Sequence, residues 1–236
     1  QDGNRVVYTA RFLVAASGYY DYDNPHDPAF AGVEDFTGTI LHPQFWPEDI
    51  SFTGKNVVVI GSGAIGIEFA SFFNTLGAET TVVEVMDRVL PVEDAEISGI
   101  AKKQFVKQGM TILEKATVKK LDRKGGTVTA HIETGGKTET RDFDTVISAV
   151  GIVGNVEGLG LEKLGVKIDR THVVTDEYCR TGVEGLYAIG DVAGAPWLAH
   201  KASHEGIHAA EHIAGYKTPN VNSPIAGCTY AQPQVA

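Results

Sequence analysis

Ten residues, Val57 to Gly66, carry the arrangement with the most chemical meaning in this chain of 236 residues. Gly61, Gly63 and Gly66 leave the apolar run Val57–Ile60 in G-x-G-x-x-G spacing and open a segment of helical periodicity. The next apolar run ends in an acid, Glu84, 18 residues after Gly66. A glycine turn between a buried strand and a helix, with a carboxylate at that distance, is the pattern that seats a dinucleotide. Gly61 permits the tight turn, Gly63 lets backbone approach a pyrophosphate, and Gly66 lets helix and strand pack closely. The helix start at Ala64 and Ile65 adds N–H donors for the anion. Glu84 is expected to accept hydrogen bonds from both hydroxyls of an adenine ribose and to repel a 2′-phosphate, favouring NAD over NADP.

A second constellation lies at Thr181–Asp191. An apolar run there delivers Gly190-Asp191 at its carboxyl end, where α/β sheets bind ligands. Asp191 is placed to bond a ribityl or ribose hydroxyl. Beyond it, His200, His204, His208 and His212 recur every four residues. A row of imidazoles on one helix face could hold zinc, but no carboxylate or cysteine cluster joins it. A solvated helix face is the expectation, and no metal is assigned. Cys179 and Cys228 stand 49 residues apart and form no disulfide framework, which points to a reducing compartment.

The elements that position these residues follow from periodicity. Lys55–Ile60 and Thr80–Val85 are expected as strands, with a helix at Ile65–Leu76 between them that Gly77 ends. Apolar residues at 65, 69, 72, 73 and 76 mark that helix's expected inner face. A second helix is expected at Ile97–Gln108. Strands follow at Thr117–Leu121, Thr127–Glu133, Asp144–Ala149 and Gly185–Gly190, and a helix at Lys201–Ala214. Gly125-Gly126 and Gly135-Gly136 read as turns. Strands alternating with helices indicate an α/β fold around a mostly parallel sheet. Upstream, Arg5–Ala16 reads as a strand and residues 19–47 as a long ordered loop. Both ends look interrupted, so the chain is expected to be an internal piece of a longer protein or an engineered sequence.

Composition narrows the partners. Thirty Asp and Glu against twenty Lys and Arg give a net charge of −10, which argues against nucleic acid or an anionic membrane. No apolar run is long enough to span a bilayer, and no targeting leader is visible. A cytoplasmic location is expected.

From about Gly54 onward the sequence resembles the dihydrolipoamide dehydrogenase group of the pyridine nucleotide–disulfide oxidoreductase family. The matching stretches are Ile60–Pro91, Ile147–Gly151, Thr181–Gly206 and Gly227–Ala236. The resemblance implies a Rossmann-like NAD-binding domain, with a parallel sheet, helices and a small antiparallel sheet, and part of a second, FAD-binding Rossmann-like domain. It places Gly61, Gly63, Gly66 and Glu84 on NAD, Val118 beside the adenine and Gly151 near the nicotinamide. It places Asp191, Trp197, Leu198, Ala199 and His200 on FAD. It also implies that the full enzyme is a homodimer. Residues 36–47, with Phe36, Gly38, His42, Trp46 and Pro47, are similar instead to the F-x-G-x-x-x-H-x-x-x-W-P signature of Baeyer–Villiger and flavin-containing monooxygenases.

The division expected is 1–52 as a monooxygenase-like FAD-domain segment and linker, and 53–153 as the NAD domain. Residues 154–216 return to the FAD domain, and 217–236 begin an interface domain. Disulfide chemistry needs a low-pKa thiolate beside the flavin and a nearby base. The chain has no C-x-x-x-x-C pair and no first glycine fingerprint, and the family's His–Glu pair lies in a domain that begins only near Pro224. No catalytic residue is assigned. The functional expectation is the NAD-binding portion of an FAD-dependent oxidoreductase, passing hydride between NAD(H) and flavin. The alternatives are an NADPH- and FAD-dependent monooxygenase, or a nucleotide-binding fragment or chimera without catalysis.

Overall fold

The computed structural model describes residues 51–216 and 225–236. The expected strand at Arg5–Ala16, the loop at 19–47 with His42 and Trp46, and Pro224 lie outside the described residues.

A strand of consecutive valines must be covered on both faces, and that requirement organises the centre of the fold. β1 (Asn56–Ile60) pairs in parallel with β2 (Glu79–Val83) on one side and β7 (Thr145–Ser148) on the other. β2 in turn pairs with β3 (Thr111–Leu113), giving the order β3-β2-β1-β7. Val57 and Val59 face one cluster with Ile67, Ala70, Val82, Leu90 and Phe105, while Val58 faces another with Val83, Ala130, Ile132 and Phe143. Each fully buried valine contributes about 1.5 kcal/mol or more. The first layer comes from α1 (Ala64–Thr75) and α2 (Ala95–Lys107). The second is an antiparallel sheet of β4 (Ala116–Lys124), β5 (Thr127–Thr134) and β6 (Lys137–Phe143). The α/β architecture matches the sequence expectation, including its small antiparallel sheet.

α1 turns a different face inward from the one its bulky residues mark. The buried residues are Gly66, Ile67, Ala70 and Ser71, whereas Ile65, Phe69, Phe72 and Leu76 are largely exposed and, of the five expected, Phe73 alone packs against the core. At Gly66 the helix comes so close to the glycine loop that a Cβ would collide with the Gly61 carbonyl, while Ile67 beside it fills the core. Gly77, with a φ of +87°, ends the helix as expected, its N–H donating to the Asn74 carbonyl. α2 starts two residues earlier than periodicity indicates, because the Asp94 carboxylate accepts from the Glu96 and Ile97 N–H groups.

β8 (Ile168–Asp169) and β9 (His172–Val173) form a short antiparallel pair. A 3-10 turn at Gly190–Ala193 precedes α3 (Ala199–Ile213). The strand expected at Gly185–Gly190 is not formed. Among the described residues it meets only the neighbouring segment Cys179–Thr181, through one bridge between Arg180 and Tyr187 flanked by two backbone hydrogen bonds, too short a pairing for a ladder. The segment after residue 224 docks on α1, where Glu68 Oε1 accepts from Tyr230 N–H at 2.8 Å and Ser71 Oγ from Gln232 N–H at 3.0 Å.

Candidate functional site

The carboxyl ends of β1, β2 and β7 meet around a cleft of about 400 Å³, within the size range of ligand pockets. Gly61 N–H donates to the Val83 carbonyl at 2.9 Å and Ala149 N–H to the Ile60 carbonyl at 2.8 Å, so the three chain exits are tied together. Gly61, Gly63, Glu84 and Val118 all line this cleft, beside Ser62 and Ala149. The bend in register between Val118 and Lys120 lies where β4 reaches the cleft.

The three glycines divide their work as their surroundings dictate. Gly61 has a φ of +97°, and a Cβ there would collide with the Ala149 carbonyl. A Cβ on Gly66 would collide with the Gly61 carbonyl. On Gly63 it would meet nothing within 4 Å and would stand in the cleft. So Gly61 and Gly66 serve close packing, and Gly63 keeps the cleft floor open to an approaching ligand. α1 has no side-chain cap and no acid in its first turn, which leaves its N-terminal N–H groups for an anion. Ala64 and Ile65 open that helix. Gly66 lies beneath the loop and Gly151 just past Val150, both outside the lining.

Glu84 is held more firmly than its sequence position suggests. It is only 4% exposed. Ser62 N–H and Ser62 Oγ donate to its Oε2 at 2.8 and 2.6 Å, and Met86 N–H donates to its Oε1 at 2.7 Å. These charge-assisted bonds fix the carboxylate at the cleft. Ser62 is a residue that sequence reading passed over, since the fingerprint leaves its position free. A hydroxyl there followed by an acid ending the next strand was the available signal.

Asp191 and the residues 197–200 form a separate constellation at the start of α3. Asp191 is exposed on the 3-10 turn, and Trp197 lines a second cleft of about 670 Å³. The first turn of α3 has neither a side-chain cap nor an acid. An exposed carboxylate acceptor and unused N–H donors fit a hydroxyl-rich, anionic cofactor. Behind them, Lys201 and Glu205 make a buried ion pair of 2.9 Å. Lys201 Nζ also donates to the Gly190 and Gly194 carbonyls, and Glu205 Oε2 accepts from Gly190 N–H at 2.7 Å. Sequence reading passed over this pair as part of an ordinary polar helix.

The histidine row is not a solvated face throughout. His204 is exposed, but His208 is buried and stacked on Tyr178, and His212 packs against Tyr178 and Tyr187. His200, already inside the helix, donates from Nε2 to the Ala226 carbonyl at 2.7 Å. An imidazole has enough apolar ring to fill such a seam, which hydropathy patterning underrates. Among the described residues no group of three His, Cys, Asp or Glu could hold a metal. Cys179 is buried, and that burial, then the Glu205 charge, pushes its thiol above the ordinary range. In the native chain an alkylating agent at mildly alkaline pH should therefore label Cys228 at least about tenfold faster than Cys179. Mass spectrometry of peptides checks this, and equal rates would contradict it.

A parallel sheet whose central strand runs into a glycine loop, with an acid ending its neighbour, defines a dinucleotide-binding domain of the Rossmann kind. The chain belongs to the pyridine nucleotide-disulphide oxidoreductase family, whose profile matches residues 1–206. It is 49% identical to a dihydrolipoyl dehydrogenase of Rhizobium etli over 235 residues, 98% of this chain and 47% of that protein. With the dihydrolipoyl dehydrogenase of Zymomonas mobilis it shares 51% identity over 185 residues, 77% of this chain and 40% of the relative. The chain thus spans less than half the length of these relatives. The Rhizobium alignment takes in most of the first fifty residues, so the segment resembling the monooxygenases falls within the span matched by one dehydrogenase. Among solved structures, LpdA of Mycobacterium tuberculosis superimposes with a TM-score of 0.70 at 30% identity, covering 76% of this chain and 39% of that one. The flavoprotein disulfide reductase RclA of Escherichia coli shares the fold, with a TM-score of 0.70 at 22% identity. Family membership implies use of FAD and NAD(P). Among the described residues no helix is long and apolar enough to cross a membrane.

Proposed function

We propose that this chain is the nucleotide-binding portion of a dihydrolipoyl dehydrogenase-type oxidoreductase, cytoplasmic and homodimeric in its full form, that takes NAD rather than NADP. Residues 53–153 form its NAD domain, 154–216 the returning part of its FAD domain, and the flanking segments 1–52 and 217–236 lead into the rest. The cofactors supply the redox chemistry, hydride passing between nicotinamide and flavin. The chain's own part is to bind and orient. Gly63 and the α1 N-terminus receive the pyrophosphate, Glu84 the adenine ribose, and Val118 the adenine edge. Ala64 and Ile65 open the helix that faces the anion, and Gly151 borders the nicotinamide side. Asp191, with Trp197, Leu198, Ala199 and His200, contributes one side of the flavin site. That site is incomplete within this chain, and no residue here is assigned a catalytic role.

The observation that carries the NAD reading is the buried, triply hydrogen-bonded carboxylate of Glu84 at the cleft. A 2′-phosphate brought against it would meet a fixed negative charge in a site of low polarisability. Fluorescence titration of the chain should therefore show NADH binding at least about tenfold tighter than NADPH, the size of effect expected for a charged hydrogen bond gained in one ligand and repulsion in the other. Glu84→Gln, which keeps the shape and removes the charge, should weaken NADH and narrow that ratio. Preferential binding of NADPH by the unsubstituted chain would overturn the assignment. No feature of the described residues favours the monooxygenase reading.

A further inference from the structure

We propose that Ser62 is a positioning residue for dinucleotide discrimination, locking Glu84 so that one carboxylate lone pair, on Oε1, remains for the ligand. The inference rests on the NAD reading above and deepens it. Nothing in the fingerprint's geometry calls for a hydroxyl at the residue between Gly61 and Gly63. Yet Ser62 is fully buried, and both its donors go to the same oxygen of Glu84, N–H at 2.8 Å and Oγ at 2.6 Å. An ionised carboxylate has about four acceptor positions, two on each oxygen. Ser62 fills both on Oε2, and Met86 N–H at 2.7 Å fills one on Oε1. One acceptor position is left, so Glu84 takes one ribose hydroxyl and not the two expected from sequence.

The same bonds remove the side chain's freedom to turn away. Three short donors on a nearly buried carboxylate hold it through its full arc, with a donor behind each oxygen. A 2′-phosphate could be admitted only if Glu84 rotated off the ribose, and rotation would strand the buried Ser62 N–H and Oγ without an acceptor. Ser62 acts on the ligand through Glu84 and makes the exclusion rigid. In Ser62→Ala the backbone N–H stays and the hydroxyl goes, so Oε2 regains an open position and swinging the carboxylate aside strands one buried donor fewer.

Titration of the 236-residue chain with NADH and NADPH tests this. Ser62→Ala should shrink the NADH-to-NADPH preference about tenfold, the weight of one hydrogen bond to a charged group. In a Glu84→Gln background the same substitution should leave the ratio unchanged, because its effect runs through the charge. A ratio unaffected by Ser62→Ala, or reduced equally in both backgrounds, overturns the role of Ser62 and leaves the NAD reading standing. An unsubstituted chain with no NADH preference overturns both. Should the Ser62 variant not fold, analogues decide with the native chain. Dinucleotides lacking either the 2′- or the 3′-hydroxyl of the adenine ribose should differ, one bound about tenfold more weakly than NADH and the other within about twofold. Equal losses from both analogues would show two hydroxyls on Glu84 and sink the proposal.

Discussion

Gly61→Ala should remove about 3–5 kcal/mol of stability, while Gly63→Ala, two residues away in the same loop, should cost less than about 1 kcal/mol and yet abolish tight nucleotide binding. For Gly61 two penalties act together. Its φ of +97° lies where a side chain is strained by about 1–3 kcal/mol. The added Cβ would also press on the Ala149 carbonyl, with the carbonyl carbon at 2.9 Å, and overpacking costs a further 1–3 kcal/mol or so. Neither partner can give way cheaply, because Gly61 continues β1, and Ala149 is held through its N–H to the Ile60 carbonyl. Against a total stability of roughly 5–15 kcal/mol for a domain, that loss shifts a urea midpoint far to the left. Gly63 has a φ of −65° and open space around its virtual Cβ. The methyl there costs the fold only the modest Gly-to-Ala difference at a helix N-cap. It stands, however, in the cleft, where a pyrophosphate must approach backbone, so NADH affinity should fall tenfold or more. Urea unfolding followed by circular dichroism, with NADH titration on each variant, separates the two roles. Equal destabilisation by both substitutions would refute the division of labour.

That contrast also marks how far the sequence could be read. The unit from Lys55 to Glu84 was legible because each of its signals is local. A valine strand, glycines at fixed offsets, a helical period, a terminating Gly77 and an acid at the next strand's end all lie within thirty residues. What stayed hidden depends on partners distant in sequence. β6, with its run Thr138-Glu139-Thr140-Arg141-Asp142, has almost no apolar alternation, because it is an exposed edge that only its ladder to β5 defines. The inner face of α1 departs from its periodicity for the opposite reason. Bulky residues dominate the pattern, but the close approach at Gly66 turns that residue inward together with Ile67, Ala70 and Ser71. In the candidate site the glycines and Glu84 were visible, whereas Ser62 was not. Its significance is a bond to a residue 22 positions away, which a loop hydroxyl followed by an acid at the next strand's end suggests without specifying.

Lys201→Met should destabilise the second half of the chain by about 3–5 kcal/mol, the cost of leaving a buried carboxylate without its partner. Lys201 and Glu205 are 7% and 9% exposed, so little water screens the charge left behind. The loss reaches further than one ion pair, since Lys201 Nζ also satisfies the Gly190 and Gly194 carbonyls at 3.3 and 2.9 Å. Those carbonyls stand at the start and just past the end of the 3-10 turn that carries Asp191. Glu205 completes the clamp by accepting from Gly190 N–H. Lys201→Met combined with Glu205→Gln should recover at least about 1.5 kcal/mol, because a neutral amide oxygen still accepts from Gly190 N–H and no lone charge remains. A cycle of the four proteins in urea measures this recovery. A double variant no more stable than Lys201→Met would show that the carboxylate charge is not the source of the cost. Cys179 gives an independent local readout, its Sγ lying 3.9 Å from the Glu205 carbonyl. If the pair holds the turn against α3, alkylation of Cys179 in the absence of urea should accelerate in Lys201→Met and slow again in the double variant. The same pair that fixes the Asp191 turn would then also account for the protection of the thiol against α3.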